Sequence, residues 1–296
     1  MKRRTFIQTL VITSLGLNWS GKPKMHKKKI RFGLVADTHY ADRDPVRNRF
    51  YRQSLERMKI FIDKMNKEKV DFILHLGDFK DEDIHKREED TLRYLQELEK
   101  VYTGFRGSKY HCIGNHDVDS IRKNQFLEHI TNTAIPKDKS YYSFDKNNCH
   151  FIVLDANYDE KGKDHFFKEG GDWQDANIPE EQLIWLQKDL ENSNFPTVVF
   201  CHHLLFEFFK DGYKYHVNAF KNIQQILERS KKVIAVFQGH VHAEIFKEIN
   251  GIYYVTQNAM VDFIGEENSC YSIVEIGPDD IRIKGYKRAS DQYFHL

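Results

Sequence analysis

Five short blocks of metal-ligand residue types, most of which follow an apolar run, constrain the fold of this chain more than any other feature. The blocks are Asp37-Thr38-His39, Gly77-Asp78, Gly114-Asn115-His116-Asp117, Cys201-His202-His203 and Gly239-His240-Val241-His242. Four of them follow short β-branched runs, at Ile30–Val35, Val70–Leu76, Val198–Phe200 and Val233–Phe237, and the fifth follows the more polar run Tyr110–Ile113. Such runs are typical of buried strands in an α/β fold. We therefore expect the blocks to meet at the carboxyl ends of strands, where open α/β sheets bind ligands.

The rest of the chain alternates between strand and helix patterns and then becomes rich in β segments. Apolar residues at helical spacing predict helices over Tyr51–Lys67 and Glu88–Val101. After the last histidine block, short apolar segments predict strands at Ile252–Gln257, Tyr271–Ile276 and Ile281–Tyr286. This order predicts an α/β fold in which two sheets pack face to face with helices outside.

The ligand types in the blocks favour a pair of metal ions. A mixed set of carboxylate, amide and imidazole donors can hold two divalent transition metals, and metal pairs of this kind hydrolyse phosphoesters. Asp78 is the candidate bridging carboxylate, because Gly77 before it allows close approach of the chain. His240 and His242 are two residues apart, so they share a side in extended backbone and the pair can reach both metals.

All five blocks occur in the order D-x-H, G-D, G-N-H-[DE], H and G-H-x-H. At these residues the chain resembles the calcineurin-like metallophosphoesterase superfamily, and the resemblance extends from Ile30 to the C-terminus. It implies a four-layer α/β/β/α sandwich of two mixed sheets flanked by helices. It also implies that one metal is held by Asp37, His39, Asp78 and His242, and the other by Asp78, Asn115, His202 and His240. Because these ligands are oxygen or nitrogen donors, we expect two divalent ions drawn from Mn, Fe, Zn and Co.

Two residues of the third block are the candidate catalytic residues. By the same resemblance, His116 would stabilise the transition state and protonate the leaving oxygen, after attack by a hydroxide that bridges the two metals. Asp117 would orient His116; the alternatives are a structural His116 and an Asp117 that caps the loop. In the fourth block we take His202 as the ligand, from its position at the strand end. His203 is then left to support the ligands or to meet substrate, and Leu204 stands where the family often has proline.

Further residues bear on the subgroup and on substrate contact. Purple acid phosphatases carry a tyrosine three residues after the G-D aspartate; here that residue is Asp81, whose replacement we expect to matter little. Phe32–Asp37, followed by Arg49–Leu55, resembles the manganese-dependent ADP-ribose/CDP-alcohol diphosphatase group. Candidates for phosphate contact are Arg47, Arg49 and Arg52, and candidates for stacking on a base are Tyr40, Tyr158 and Trp173. The alternatives are solvated helix-start residues for the arginines and packing for the aromatic residues.

The resemblance implies an enzyme that hydrolyses phosphodiester or diphosphate bonds of small, nucleotide-like substrates. A phosphomonoesterase on the same site is the alternative, and a non-catalytic metal-binding protein is the third hypothesis. No ligand position is degraded, which argues against the third. The chain has 296 residues with 45 Lys+Arg and 44 Asp+Glu, so its net charge of +1 predicts no strong attraction to nucleic acid. We expect a monomer whose partner is a small phosphorylated substrate.

The first 29 residues differ from the rest. Met1–Gln8 contains a pair of arginines and resembles a twin-arginine export signal, with Leu10–Trp19 as its apolar region. The alternative is an ordinary N-terminal helix, and no clear A-x-A cleavage motif precedes Gly21. We therefore predict an export signal and basic linker at residues 1–29 and a metallophosphoesterase domain at residues 30–296. The protein would be periplasmic or secreted, with at most peripheral or anchored membrane contact.

Overall fold

The computed structural model describes residues 29–296. The export signal and linker predicted for residues 1–29 therefore lie, apart from Lys29, outside the described residues. Within residues 29–296, every helix is too short or too polar to cross a membrane.

The described chain contains fourteen strands and five α-helices. The strands are β1 (Ile30–Val35), β2 (Phe72–His75), β3 (Ser108–His111), β4 (Tyr142–Lys146), β5 (Cys149–Leu154), β6 (Thr197–Cys201), β7 (Phe209–Lys210), β8 (Tyr213–Lys214), β9 (Val233–Gln238), β10 (Ile245–Ile249), β11 (Ile252–Thr256), β12 (Tyr271–Ile276), β13 (Asp280–Tyr286) and β14 (Gln292–His295). The helices are α1 (Ser54–Glu68), α2 (Glu88–Tyr102), α3 (Lys123–His129), α4 (Glu180–Asn192) and α5 (Phe220–Ser230).

Twelve of the strands form two mixed, six-stranded sheets. The first sheet has the order β14-β13-β12-β1-β2-β3, with β1, β2 and β3 parallel and the other three antiparallel. The second has the order β10-β11-β9-β6-β5-β4, with a parallel centre of β11, β9, β6 and β5 and an antiparallel strand at each edge. The small hairpin β7–β8 stands apart from both.

The inner faces of the two sheets meet in an aromatic core. The Phe32 ring on β1 lies 5.9 Å from Phe151, 5.8 Å from Phe200 and 5.9 Å from Phe237, measured between ring centroids. All three contacts are edge-to-face, the geometry that aromatic pairs prefer. These contacts across the two sheets fix their separation and their relative position.

Helices cover the outer faces. Met58 on α1 and Leu95 on α2 are fully buried against the first sheet. Leu186 on α4 and Leu227 on α5 are fully buried against the second. The predicted four-layer α/β/β/α sandwich of two mixed sheets is therefore confirmed.

Several elements differ from the sequence prediction. The third strand is Ser108–His111 rather than Tyr110–Ile113, so the run closest to the Gly-Asn-His-Asp block belongs to a loop. Strands β10 and β14 and the β7–β8 hairpin were not predicted. Both sheet strands lie at edges and keep exposed or half-exposed side chains, so they carry little of the apolar signal that marks the central strands.

Candidate metal centre

All five blocks follow the carboxyl ends of strands, and the face-to-face packing of the sheets brings them together. Three blocks follow β1, β2 and β3 of the first sheet, and two follow β6 and β9 of the second. Hydrogen bonds join the blocks across the sandwich. The His202 ring donates from Nδ1 to the Leu76 carbonyl at 2.8 Å, and the His240 backbone N–H donates to the Asp37 carboxylate at 3.0 Å. The two sheets thus share one buried site.

The backbone is strained at five of the predicted metal ligands. Those residues have φ between 46° and 74°; they are Asp37, His39, Asp78, His240 and His242. Residues other than glycine seldom adopt this left-handed region, and such strain is concentrated at functional sites, where the surrounding structure holds it in place. The unusual backbone turns these side chains toward one another beyond the strand ends.

The first cluster contains Asp37, His39 and His242, one ligand atom of each lying within 4.8 Å of the others. The Nε2 atoms of His39 and His242 are 3.1 Å apart, and Asp37 Oδ1 lies 3.9 Å from the former and 3.6 Å from the latter. Asp78 Oδ2 is 3.4 Å from His39 Nε2. Two imidazole nitrogens and two carboxylates that converge in this way suit a divalent cation.

The second cluster contains Asp78, His202 and His240. Asp78 Oδ2 lies 3.2 Å from His202 Nε2, so the same oxygen faces both clusters, as in a carboxylate that bridges two metals through one oxygen. Asn115 Oδ1 is buried and has no hydrogen-bond partner within the described residues. Buried polar atoms are nearly always paired, so this free acceptor fits a metal ion at the second cluster. The residues present therefore fit two metals.

The choice of His202 over His203 is favoured by geometry. The Nδ1–H of His202 is used by the Leu76 carbonyl, which leaves Nε2 as the atom that faces Asp78. A backbone carbonyl on the far nitrogen is the usual way in which a metal-binding histidine is oriented. The His203 ring packs at 4.6 Å from the His240 ring, and burial lowers the pKa of His203 to about 3, so His203 is a neutral neighbour of the cluster.

Two glycines make the close approach of the loops possible. Gly77 has a φ of +97°, and a Cβ there would come within 2.6 Å of His202 Nδ1. A Cβ on Gly114 would overlap both the backbone nitrogen and Oδ1 of Asp78. Glycine is therefore required both at residue 77, which precedes Asp78, and at residue 114, which packs against Asp78. The first requirement agrees with the reason given for Gly77 from the sequence.

Burial and mutual charge set the ionisation of the ligands. Burial raises the pKa of Asp37 to about 6. Burial also tends to raise the pKa of Asp78, but neighbouring imidazoles, chiefly His202, outweigh this effect and hold the pKa of Asp78 well below its usual range. Burial disfavours charged His202, yet Asp78 outweighs burial and raises the pKa of His202 to about 9. Burial lowers the pKa of His39 and of His240 well below the usual value. A metal bound at His202 would displace its proton, because histidine binds metals in the neutral form.

His116 lies beside the clusters with its ring turned toward carboxylates. Its backbone N–H donates to Asp78 Oδ1 at 2.8 Å, and its side chain is 28% exposed. Its Nδ1 is 3.5 Å from Asp81 Oδ1 and 3.7 Å from Asp119 Oδ2. Burial opposes protonation, but the carboxylates, led by Asp81, outweigh it and raise the pKa of His116 well above the usual value. A protonated imidazole at the edge of the site can act as a general acid.

The structure places the Asp117 carboxylate on backbone N–H groups, as the loop-capping alternative describes. The Asp117 carboxylate accepts backbone N–H groups from Asp78 at 2.9 Å, from Phe79 at 2.9 Å, from Lys80 at 3.3 Å and from Gly114 at 2.8 Å. These bonds hold the second and third blocks together. Neighbours in sequence diverge here because residues 115–118 form a short 3-10 helix.

A sequence model of the calcineurin-like phosphoesterase family matches residues 30–244, well over half of the chain. The chain belongs to this family. It is therefore a metal-dependent phosphoric ester hydrolase, and the family resemblance seen in the five blocks is confirmed.

Named relatives and a solved structure are similar to this phosphoesterase over most of their length. A Xenopus laevis protein named manganese-dependent ADP-ribose/CDP-alcohol diphosphatase is 22% identical, over 92% of each chain. A Fibrobacter succinogenes protein named probable cyclic nucleotide phosphodiesterase is 25% identical, over 80% of this chain and 82% of its own. The crystal structure of a dimetal phosphatase from Danio rerio aligns with a TM-score of 0.75 at 19% identity, over 90% of this chain and 98% of that one. The last likeness shows the fold.

Two carboxylates that sequence reasoning missed support the histidines of this phosphoesterase. Asp81 Oδ2 is 3.1 Å from His39 Nδ1, and Asp262 Oδ1 is 3.1 Å from His242 Nδ1. A carboxylate on the far nitrogen fixes the ring and strengthens the metal-facing nitrogen. We therefore take the close group of His39, Asp81 and His116 as this supporting arrangement rather than as a third metal site. The position of Asp81, three residues after Asp78, was a signal in the sequence; for Asp262 no local signal existed.

We expect Asp81→Asn to lower activity by about 10- to 100-fold, the usual cost of losing an outer partner of a metal ligand. The expectation that Asp81 matters little is thus reversed, because its buried carboxylate contacts both His39 and His116. The measurement is kcat/KM for a phosphodiester with Mn²⁺ present. Wild-type activity in this variant would show that the two histidines hold their positions without it.

A polar cavity of about 540 Å³ opens beside His240 and His242. Arg47, Arg49 and Lys210 line it, whereas Arg52 pairs with Asp42 and Asp44 on the surface. Of the three candidate arginines, Arg47 and Arg49 are thus placed to meet a phosphate, and Arg52 is a solvated helix-start residue.

The three candidate stacking residues also differ in their surroundings. Tyr40 and Tyr158 are buried, and the Tyr40 hydroxyl donates to Glu97 at 2.7 Å, so both are packing residues. Trp173 is half-buried, and its ring lies 5.6 Å from the ring of His240. Trp173 alone of the three borders the metal centre.

Proposed function

We propose that this phosphoesterase uses two divalent metals, Mn²⁺ among them, to hydrolyse phosphodiester or diphosphate bonds in small, nucleotide-like substrates. The observation that carries the proposal is Asp78: one buried carboxylate oxygen faces two ligand clusters that open onto a cavity lined by cationic side chains. The first cluster would be Asp37, His39, Asp78 and His242, and the second Asp78, Asn115, His202 and His240. When bound, the metals would supply water that ionises near neutral pH and would polarise the phosphoryl oxygens.

The chain's own residues would hold the substrate and move a proton. Arg49 Nη1 lies 3.5 Å from His116 Nε2, so a phosphoryl oxygen near one of these atoms can reach the other. Because Nδ1 of His116 is turned toward Asp81 and Asp119, its Nε2 is the atom that would pass a proton to the leaving oxygen. Arg49 would bind the phosphate that reacts.

Cationic groups beyond the metals support a diester or diphosphate over a monoester. Arg47 and Lys210 also line the cavity, where a second phosphate or the ester group that remains would lie. A monoester would leave these side chains without a partner from the substrate. The names of the relatives, a diphosphatase and a cyclic nucleotide phosphodiesterase, agree with this choice.

Metal removal and a substrate panel test the proposal. Protein treated with EDTA and dialysed should be inactive and should recover with Mn²⁺, because every proposed ligand is an oxygen or nitrogen donor. The panel is bis(4-nitrophenyl) phosphate, ADP-ribose and CDP-choline against 4-nitrophenyl phosphate and AMP. We expect a higher kcat/KM for the first three. Preference for the two monoesters would favour the phosphomonoesterase, and full turnover in excess EDTA would exclude metal catalysis.

Export is a separate proposal, supported by the sequence alone. We propose that Arg3 and Arg4 direct the precursor through the twin-arginine route, which carries folded proteins and so suits a chain that folds around metals. Replacing both with lysine should leave the precursor in the cytoplasm, as cell fractionation and immunoblotting would measure. Replacement of Lys27 and Lys28 with arginine is the matched control and should not alter location. An unchanged distribution of the double lysine variant would refute the route.

A further inference from the structure

Phe263 stands out at the mouth of the metal-site cavity. It is a bulky aromatic residue with a φ of +64°, its side chain is 45% exposed, and it lines the same cavity as His242 and Asp262. Left-handed backbone is a true outlier for a large side chain, and water contact with an apolar ring is unfavourable. The protein's own packing leaves nearly half of the Phe263 surface exposed in this cavity.

The conformation of Phe263 is imposed by its surroundings. The buried Arg57 guanidinium donates to the carbonyls of Met260, Asp262, Phe263 and Gly265, which fixes the loop from residue 260 to residue 265. The Phe263 N–H donates to the Asn48 carbonyl at 2.7 Å, and the Arg288 guanidinium lies 4.6 Å from the Phe263 ring centroid. Strain held in place from several sides is typical of positions that bind a ligand.

Backbone hydrogen bonds also hold a second apolar side chain near Phe263. Val46 is 45% exposed and lines the cavity, in a turn that Arg49 closes by exchanging two backbone hydrogen bonds with Val46. That turn pairs with the loop of Phe263, since Arg49 and Asp262 face each other as a β-bridge. The metal-supporting residue Asp262 and the phosphate-contact candidate Arg49 are thus built into the same two segments as the exposed apolar side chains.

We propose that Phe263 and Val46 form a subsite for an apolar group that the substrate carries next to its reacting phosphate. The inference rests on the proposed phosphodiesterase function and names the chemistry of the ester group that it would accept. An alkyl chain and a nucleobase share this chemistry. Whichever of the two is carried next to a phosphate at the metals can contact these two side chains, because they line the cavity together with His242.

A pair of diesters with one leaving group tests the subsite. With Mn²⁺-loaded protein, kcat/KM should be on the order of tenfold or more higher for hexyl 4-nitrophenyl phosphate than for methyl 4-nitrophenyl phosphate, because each buried methylene favours binding. In Phe263→Asn, which keeps a residue that tolerates left-handed backbone, this ratio should fall toward one. Hexylphosphonate, which is not hydrolysed, should bind the variant more weakly than wild type by a similar factor in calorimetry.

The outcomes are separable. Ile184→Asn, which changes an exposed apolar residue on α4, is the matched control and should keep the wild-type ratio. A ratio that is the same in Phe263→Asn and wild type overturns the subsite. The 4-nitrophenyl ester of thymidine 5′-phosphate identifies the source: a preference for it that depends on Phe263 assigns a nucleobase, and a dependence limited to the hexyl ester assigns an alkyl group. Failure of wild type to hydrolyse any of the diesters would instead refute the proposed function.

Discussion

Asp78→Asn is expected to remove metal and activity together, with a loss of kcat/KM greater than about 100-fold. Loss of a residue that only supports a metal ligand lowers activity by up to about 100-fold, and Asp78 would be a ligand of both ions. Its Oδ2 lies 3.4 Å from His39 Nε2 and 3.2 Å from His202 Nε2, while its Oδ1 accepts the His116 N–H. An amide in its place keeps the size but loses the charge that holds two cations near each other.

The matched control is Asp189→Asn. Asp189 is another largely buried carboxylate that contacts a histidine, His150, at 2.7 Å, but it lies on α4 away from the metal clusters. Metal content by mass spectrometry and activity should both be unchanged in it. If Asp78→Asn retains two metals, or loses no more activity than the control, the bridge assignment is wrong.

His116→Ala is expected to keep both metals and to lose about 10²- to 10⁴-fold in kcat, the usual contribution of a general acid or base. Metal should stay because alanine retains the backbone N–H that donates to Asp78, and because the His116 ring is not part of the two predicted ligand sets. The loss should be smaller for esters of nitrophenol than for alkyl esters, since a good leaving group needs little protonation.

Metal analysis beside the leaving-group series separates the possible roles of His116. His129→Ala changes a partly buried histidine on α3 whose Nδ1–H donates to the Gln125 carbonyl, and it should behave as wild type. Metal lost in proportion to activity would make His116 a ligand or structural residue. An equal loss of activity for good and poor leaving groups would mean that His116 acts electrostatically and is not the proton donor.

The fold was predictable from sequence where a strand is buried on both faces. Runs such as Val233–Gln238 are fully buried in the middle of a sheet, so their apolar composition marks them clearly. Strand β14, by contrast, keeps exposed side chains at a sheet edge, and its pairing with β13 depends on contacts that no local pattern encodes. Edge strands of this kind are set by tertiary structure.

The candidate site was likewise predictable only in part. The candidate ligands stand in short blocks at strand ends, so residue type and position predicted that they meet, and the family resemblance assigned them to two metals. Of the two supporting carboxylates, Asp262 was not predictable, because it reaches His242 across 20 residues of chain. Asp117 shows the reverse case: adjacency to His116 suggested contact, but the turn directs its carboxylate to the backbone of the Asp78 loop.

In the proposed site one carboxylate, that of Asp78, would join two metal ions. The most direct test is to reconstitute metal-free protein with Mn²⁺, remove loosely bound ions, and measure the bound manganese by mass spectrometry and electron paramagnetic resonance. We expect two manganese ions per chain whose spins are coupled, and loss of that coupling in Asp78→Asn. One manganese per chain with the spectrum of an isolated ion, in protein that is fully active, would contradict this expectation.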